Sequence, residues 1–162
     1  MKKGLPAAIL LLVLGLTGCV SAAGESGYQP QLEFEAQTVA GEKFASNTLT
    51  GKDTLIWFWT PWCAICAQES TDIKELQAAN PEVQFIGIAG YGTRGEMQDF
   101  VDRTGTDQLV HLVDTNGELW ANFQVPLQPS IVVLNQDGSA QLHIGPATRE
   151  VAQQLLDSIL ED

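Results

Sequence analysis

The sequence predicts an α/β domain in which a central mixed sheet is flanked by helices, and three observations lead there. Thr54-Leu55-Ile56-Trp57-Phe58-Trp59 is an almost continuous apolar and aromatic run, the pattern of a strand buried on both faces of a sheet. Good helix formers from Ala64 to Ala79 follow it, and Val83 to Ala89 then reads as a second apolar strand, which makes a β-α-β unit. Further on, Ser130 to Leu134 and Gln141 to Ile144 read as a hairpin turned at Asp137-Gly138, which adds antiparallel strands to the parallel pair.

The elements follow in order. Glu33 to Val39 and Glu42 to Phe44 suggest an extra N-terminal hairpin turned at Ala40-Gly41. After the first long strand, Thr60-Pro61-Trp62 breaks the pattern, so Cys63 falls at the N-terminus of the helix over Ala64–Ala79. That helix carries Ile65, Ile73 and Leu76 on a rough stripe and stops at Asn80-Pro81. Glu96 to Arg103 reads as a second helix with Met97, Phe100 and Val101 inward, Leu109 to Val113 as a short strand, and Gly117 to Phe123 as a short helix. Thr148 to Leu160 closes the domain as an amphipathic helix with Val151, Leu155, Leu156 and Ile159 along one side. No internal repeat is visible.

With 162 residues, 44% of them hydrophobic, the chain suits one folded domain of ordinary size. A formal net charge of −12 leaves no basic face for phosphate backbones, which excludes nucleic-acid partners. Lys2 and Lys3 precede an unbroken apolar run from Ala7 to Leu16. At 1.5 Å per helical residue that run reaches only about half of a ~30 Å hydrocarbon core, so it reads as the apolar segment of an export signal and not as a membrane span. Its exit, Leu16-Thr17-Gly18-Cys19, resembles the bacterial lipobox, which implies that Cys19 becomes the acylated first residue of the mature protein and anchors it to the outer face of the cell membrane. The alternative is a plain secretory signal cleaved near Ala22-Ala23, leaving a secreted protein. The expected organisation is therefore a signal peptide over 1–18, a lipidated cysteine and flexible tether over 19–31, and the folded domain over 32–162.

Once Cys19 is set aside, two thiols are left, Cys63 and Cys66, in the run C-A-I-C. In an exported protein such a pair at a strand-to-helix junction reads as a reversible dithiol/disulfide switch. A structural zinc site wants four Cys/His ligands, and His111 and His143 are lone residues in strand-like segments. A c-type haem needs a histidine directly after the second cysteine, and Ala67 stands there. No metal or other cofactor is expected. Cys63 at a helix N-terminus is the nucleophile, because unpaired amides there favour a thiolate, and Cys66, one turn inside, resolves the mixed disulfide. Since no Lys, Arg or His occurs from Trp57 to Asp72, only the helix end is locally available to favour ionisation, and a strongly acidic thiol is not expected.

W-F-W-T-P-W-C-A-I-C and, later, V-P-L-Q-P-S-I-V-V-L-N-Q-D-G resemble the thioredoxin superfamily, in particular its extracytoplasmic TlpA/ResA/DsbE-like branch. The V-P-x-Q-P run is similar to actinobacterial DsbE/DsbF-like lipoprotein oxidoreductases. The resemblance runs from about Leu32 to the C-terminus and implies a thioredoxin-like fold with the extra hairpin and an inserted α/β segment. It implies that Pro129 is a cis-proline facing the active site and that Gln128 and Pro129 form a lip for the client peptide. It also implies that Glu69 is the acid of a C-x-x-E pattern, placed to tune the thiols and hold Cys66 protonated until it is needed. Trp57 stands where cytoplasmic thioredoxins carry a buried aspartate, so proton uptake needs another group. Trp62, beside the nucleophile, is expected to cover it and meet the substrate.

The function so implied is membrane-anchored, extracytoplasmic thiol–disulfide exchange with exported proteins. Cys63, Cys66 and Glu69 carry the chemistry, Trp62, Gln128 and Pro129 bind the client, and a membrane redox partner completes the cycle. The actinobacterial likeness points to disulfide formation, and the wider branch points to reduction, for example in cytochrome c maturation. Thr60-Pro61-Trp62-Cys63 also matches the T-x-x-C core of peroxiredoxins, but Ile56 stands where those peroxidases have proline. An inert adaptor is disfavoured by the intact C-x-x-C, and a copper carrier by the absence of C-x-x-x-C spacing and a well-placed histidine.

Overall fold

The structure, a computed structural model, describes residues 27–160. The expected signal peptide over 1–18 and the lipidation site at Cys19 lie outside the described residues.

Five strands form the central sheet in the order β5-β4-β3-β6-β7. They are β3 (Thr54–Trp59), β4 (Gln84–Gly90), β5 (Val110–Asp114), β6 (Ser130–Leu134) and β7 (Ala140–Ile144), with β1 (Glu35–Gln37) and β2 (Lys43–Ala45) forming a separate two-stranded hairpin. β3, β4 and β5 run parallel, and β6 and β7 complete the sheet as antiparallel strands. The connections β3-α1-β4 and β4-α2-β5 pass through α1 (Ala64–Ala79) and α2 (Arg94–Thr104). A short α3 (Glu118–Asn122) precedes β6, and α4 (Arg149–Leu160) ends the domain. The β6–β7 hairpin turns at Asp137-Gly138, with Gly138 N–H donating to Asn135 O.

Every residue of β3 is buried, because both faces of this middle strand are covered. Leu55, Trp57 and Trp59 pack with residues of α1, α2 and α4, and Ile56 and Phe58 pack with Leu119, Trp120 and Phe123 on the α3 side. Removing such side chains from water stabilises the fold by roughly 1.5–3 kcal/mol each. Trp59 stacks on Phe100 of α2 at a centroid distance of 4.1 Å, and its indole N–H donates to His111 Nδ1 at 3.1 Å. Gly87 of β4 makes room for this pair, since a Cβ there would stand 2.1 Å from His111 Nδ1.

Several boundaries and faces differ from expectation. α2 starts at Arg94, because Thr93 and Glu96 form a capping box that satisfies the first amides two residues before the expected start. α4 buries Ala152, Leu156 and Ile159, with Val151 and Leu155 at the margin, so its inner face is turned from the expected stripe. Ile65 leaves the core and projects to solvent at 48% exposure, because α1 faces the sheet through Cys66, Glu69, Ser70, Ile73 and Leu76. The stretch assigned to a tether as far as Gln31 is bound to the domain from Tyr28 onward. Tyr28 and Ala140 exchange both backbone hydrogen bonds, the Tyr28 hydroxyl donates to Phe123 O at 2.6 Å, and Gln31 pairs with the Asn122 side chain.

Candidate active site

Cys63 is the N-cap of α1, and Cys66 lies in the first turn. The two sulfurs form a disulfide. Cys63 N–H donates to Thr60 O at 3.1 Å, which closes the T-P-W-C turn, and Cys66 N–H points at Cys63 Sγ at 3.0 Å. One of the orphan amides of the helix start is thus aimed at the first sulfur, where it and the helix dipole favour negative charge. Cys63 is half-buried and Cys66 is fully buried, so of the two residues only the first offers surface to solvent.

Glu69 extends from the inner face of α1 and is only 5% exposed. One carboxyl oxygen accepts from Trp57 Nε1–H at 2.7 Å and the other from Ala147 N–H at 2.8 Å. Burial raises its pKa, while the two donors, which favour the ionised form, oppose the shift. Glu69 is therefore no surface helix acid. It is tied to Trp57, in the middle of the central strand.

Around the thiols, Trp62 is 59% exposed. Gln128–Pro129 is a cis peptide bond at the entrance to β6, with Pro129 buried and Gln128 half-buried. Ser130 pairs with Phe58 in register, so this entrance and the start of α1 share one end of the sheet. Leu127, two residues before Pro129, and Ile65, in the first turn of α1, are also exposed. Trp62, Ile65 and Leu127 thus leave apolar side chains exposed at this end of the sheet.

Two features were not foreseen. Arg103, from the last turn of α2, donates from Nη2 to Pro61 O at 3.0 Å and lies over the Phe100 ring, which brings a guanidinium to the loop carrying Cys63. With Pro61, Trp62, Glu96 and Asp99 it lines a notch of about 170 Å³. The only local signal was an arginine three residues after a core phenylalanine, which does not disclose a contact across 42 positions. Ala147 was likewise unremarkable in sequence, and its amide matters only because the loop after β7 brings it to Glu69. The two histidines stand apart. His111 is buried and accepts from Trp59, so its other ring nitrogen donates to Thr106 O and the ring is held neutral, with burial pushing its pKa down to about 4. Among the described residues no three His, Cys, Asp or Glu side chains converge as metal ligands would.

The Redoxin family model matches residues 23–155. The soluble secreted antigen MPT53 of Mycobacterium tuberculosis is 38% identical over 133 residues, covering 82% of this chain and 76% of its own length. The sporulation thiol-disulfide oxidoreductase A of Bacillus subtilis is 26% identical over 150 residues, covering 88% of this chain and 90% of its own. Among solved structures, MTB dsbF superimposes with a TM-score of 0.76 at 33% identity, covering 79% of this chain and 96% of its own. A secreted Mycobacterium tuberculosis disulfide oxidoreductase homologous to E. coli DsbE gives 0.72 at 35% identity, covering 78% and 96%. With the fold, the cysteine pair and the extent of these matches in agreement, the chain belongs to the redoxin family, in the DsbE/DsbF-like branch of the thioredoxin superfamily, and is a thiol–disulfide oxidoreductase working through Cys63 and Cys66.

Proposed function

We propose that this protein acts outside the cytoplasm, held to the outer face of the membrane through Cys19, and passes its Cys63–Cys66 disulfide to thiols of exported proteins. The observation that carries the reading is the asymmetry of the pair: Cys63 is half-buried, with its Sγ facing the Cys66 amide at 3.0 Å, while Cys66 is fully buried. A client thiolate attacks Cys63 Sγ, the Sγ–Sγ bond breaks, and Cys66 leaves with the electron pair and takes up a proton. A second client thiolate then attacks the client sulfur of the mixed disulfide and releases Cys63 as a thiolate at the helix start. Two electrons pass from client to protein; of the two protons the client thiols lose, one is balanced by the proton Cys66 takes up and the other stays in solvent while Cys63 is a thiolate, and a membrane redox partner restores the disulfide. Glu69 serves as the acid associated with Cys66, and Trp62, Gln128 and Pro129 hold the client. The export signal over 1–18, the lipobox at Cys19 and the secreted character named for MPT53 support the location.

The test uses the purified oxidised protein and a reduced, unfolded client with two cysteines. Stoichiometric disulfide formation is expected, with Cys63→Ser inactive. A reduction potential near −120 mV fits an oxidant, whereas one near −270 mV would reverse the direction to reduction. Failure to oxidise the client, or activity surviving Cys63→Ser, overturns the proposal. Globomycin-sensitive partitioning of the full chain into membranes tests the anchor, and a fully soluble Cys19→Ala variant is expected.

A further inference from the structure

The proton that Glu69 exchanges has a neighbour on the far side of one peptide group. In register, Trp57 of β3 lies opposite Ile131 of β6, and Ile131 lies opposite His143 of β7. Paired residues of adjacent strands share a face, so His143 stands at the margin of the sheet face that carries Trp57 and Glu69. Its Nε2 lies 3.3 Å from Pro146 O. A carbonyl only accepts, so the imidazole donates there. The N–H of the same peptide group, that of Ala147, donates to Glu69 Oε1 at 2.8 Å. The chain of contacts is therefore His143 Nε2–H to Pro146 C=O, through the peptide, and Ala147 N–H to the Glu69 carboxylate.

We propose that His143 is a positioning residue for Glu69: by bonding the Pro146 carbonyl it fixes and polarises the Ala147 amide, so that a charge on the imidazole favours the ionised carboxylate and sets the pH at which Glu69 exchanges its proton with the thiol pair. The inference rests on the role proposed above for Glu69 and names what regulates it. Hydrogen bonds in a chain strengthen one another, and a donor already polarised at its carbonyl binds an anion more tightly. The charges acting on Glu69 are consistent with this. Asp72, on its own helix, raises its pKa, and His143, from β7, lowers it. β3 and the loop after β7 offer Trp57 Nε1 and the Ala147 amide, and Arg149 of α4 is paired with Glu75 at 2.8 Å. His143 lines a cleft with Tyr28, Gln141 and Leu155, and the Tyr28 hydroxyl, bonded to Phe123 O, stays protonated because burial pushes its pKa up to about 12.

Reduction of the disulfide takes up two electrons with one proton while Cys63 is a thiolate and two below its pKa, and a further fraction of a proton wherever Glu69 binds it differently in the two redox states. The potential against pH, measured by equilibration with a dithiothreitol or glutathione buffer, therefore bends where Glu69 titrates. Glu69→Gln is expected to remove that bend. His143→Leu and His143→Gln are expected to move it to higher pH, the glutamine variant less, since its amide can still donate to Pro146 O. His143→Lys, which restores a positive charge, is expected to move it back toward the wild-type position. Urea midpoints at a fixed pH confirm that each variant is folded. A bend that Glu69→Gln abolishes but that keeps its wild-type position in both His143→Leu and His143→Gln overturns the role of His143 alone. A profile unchanged in Glu69→Gln overturns the role of Glu69, and the inference with it.

Discussion

His111 gives the domain an acid-sensitive joint whose strength follows from its burial. The ring is 4% exposed, accepts from Trp59 and donates to Thr106 O, and the first bond requires the neutral form, because a protonated imidazole has no acceptor for the indole N–H, while the bond to Thr106 O opposes the effect of burial only in part. Its pKa falls to about 4 in the folded protein against about 6.5 in an unfolded chain. Above the unfolded value neither state carries the proton, and the interaction is fully present. As the pH falls between 6.5 and 4, the unfolded chain takes up a proton that the folded one refuses, so stability declines, and the decline levels off below about pH 4. At 1.36 kcal/mol per pH unit this amounts to about 2 kcal/mol lost between pH 7 and pH 5, and about 3 kcal/mol in all. His111→Gln is a suitable reference, since its side chain can accept from Trp59 and donate to Thr106 O without titrating. Urea unfolding followed by tryptophan fluorescence at pH 7 and pH 5 is the assay. With a slope near 1.5 kcal/mol per molar urea, the wild-type midpoint should drop about 1 M further than that of the variant. Equal drops in the two proteins would refute the reasoning, because the buried carboxyl groups are common to both and cancel in the comparison.

Other substitutions probe the site and its support. Arg103→Met removes the guanidinium from Pro61 O, and the Cys63 thiolate should form at higher pH, read from the pH dependence of alkylation of the reduced protein, with about 1 kcal/mol of stability lost from the broken bond. Gly87→Ala drives a Cβ into His111 and the Trp59 indole, and should destabilise by at least 1–3 kcal/mol, seen as a lowered melting temperature. Trp62→Ala removes the exposed indole beside Cys63, and should raise KM for a peptide client while leaving the reaction of the reduced protein with a small alkylating agent within about twofold, since its contribution lies in binding area.

The parts of the fold legible in the sequence are those written in consecutive residues. The six-residue apolar run of β3, the break at Thr60-Pro61-Trp62, the helix ending at Asn80 and the turn at Asp137-Gly138 each carry a local signal, and they place Cys63 at a helix start. The capping box of Thr93 and Glu96 was equally local, yet the apolar stripe alone placed the helix start later. What stayed hidden are contacts between distant positions: Arg103 with Pro61, Ala147 with Glu69, and Tyr28 with Ala140. Each joins a backbone group to a residue of another element, and a backbone group carries no sequence signature of its own. The resemblance pointed to Glu69, but its partnership with Trp57 follows from packing, because an acid this deep persists only where donors replace water.

The backbone pairing of Tyr28 with Ala140 also has a definite place on the body. Ala140 begins β7 beside Leu134, at the pole where β3 starts, whereas the disulfide lies beyond the other end of β3. Tyr28 is therefore clamped to the base of the body, like a buckle fastened at the end away from the reactive sulfur. This clasp lies at the opposite end of β3 from Cys63, so loosening it, for example by Tyr28→Phe at the Phe123 O contact, perturbs the base of the sheet and not the surface where sulfurs are exchanged.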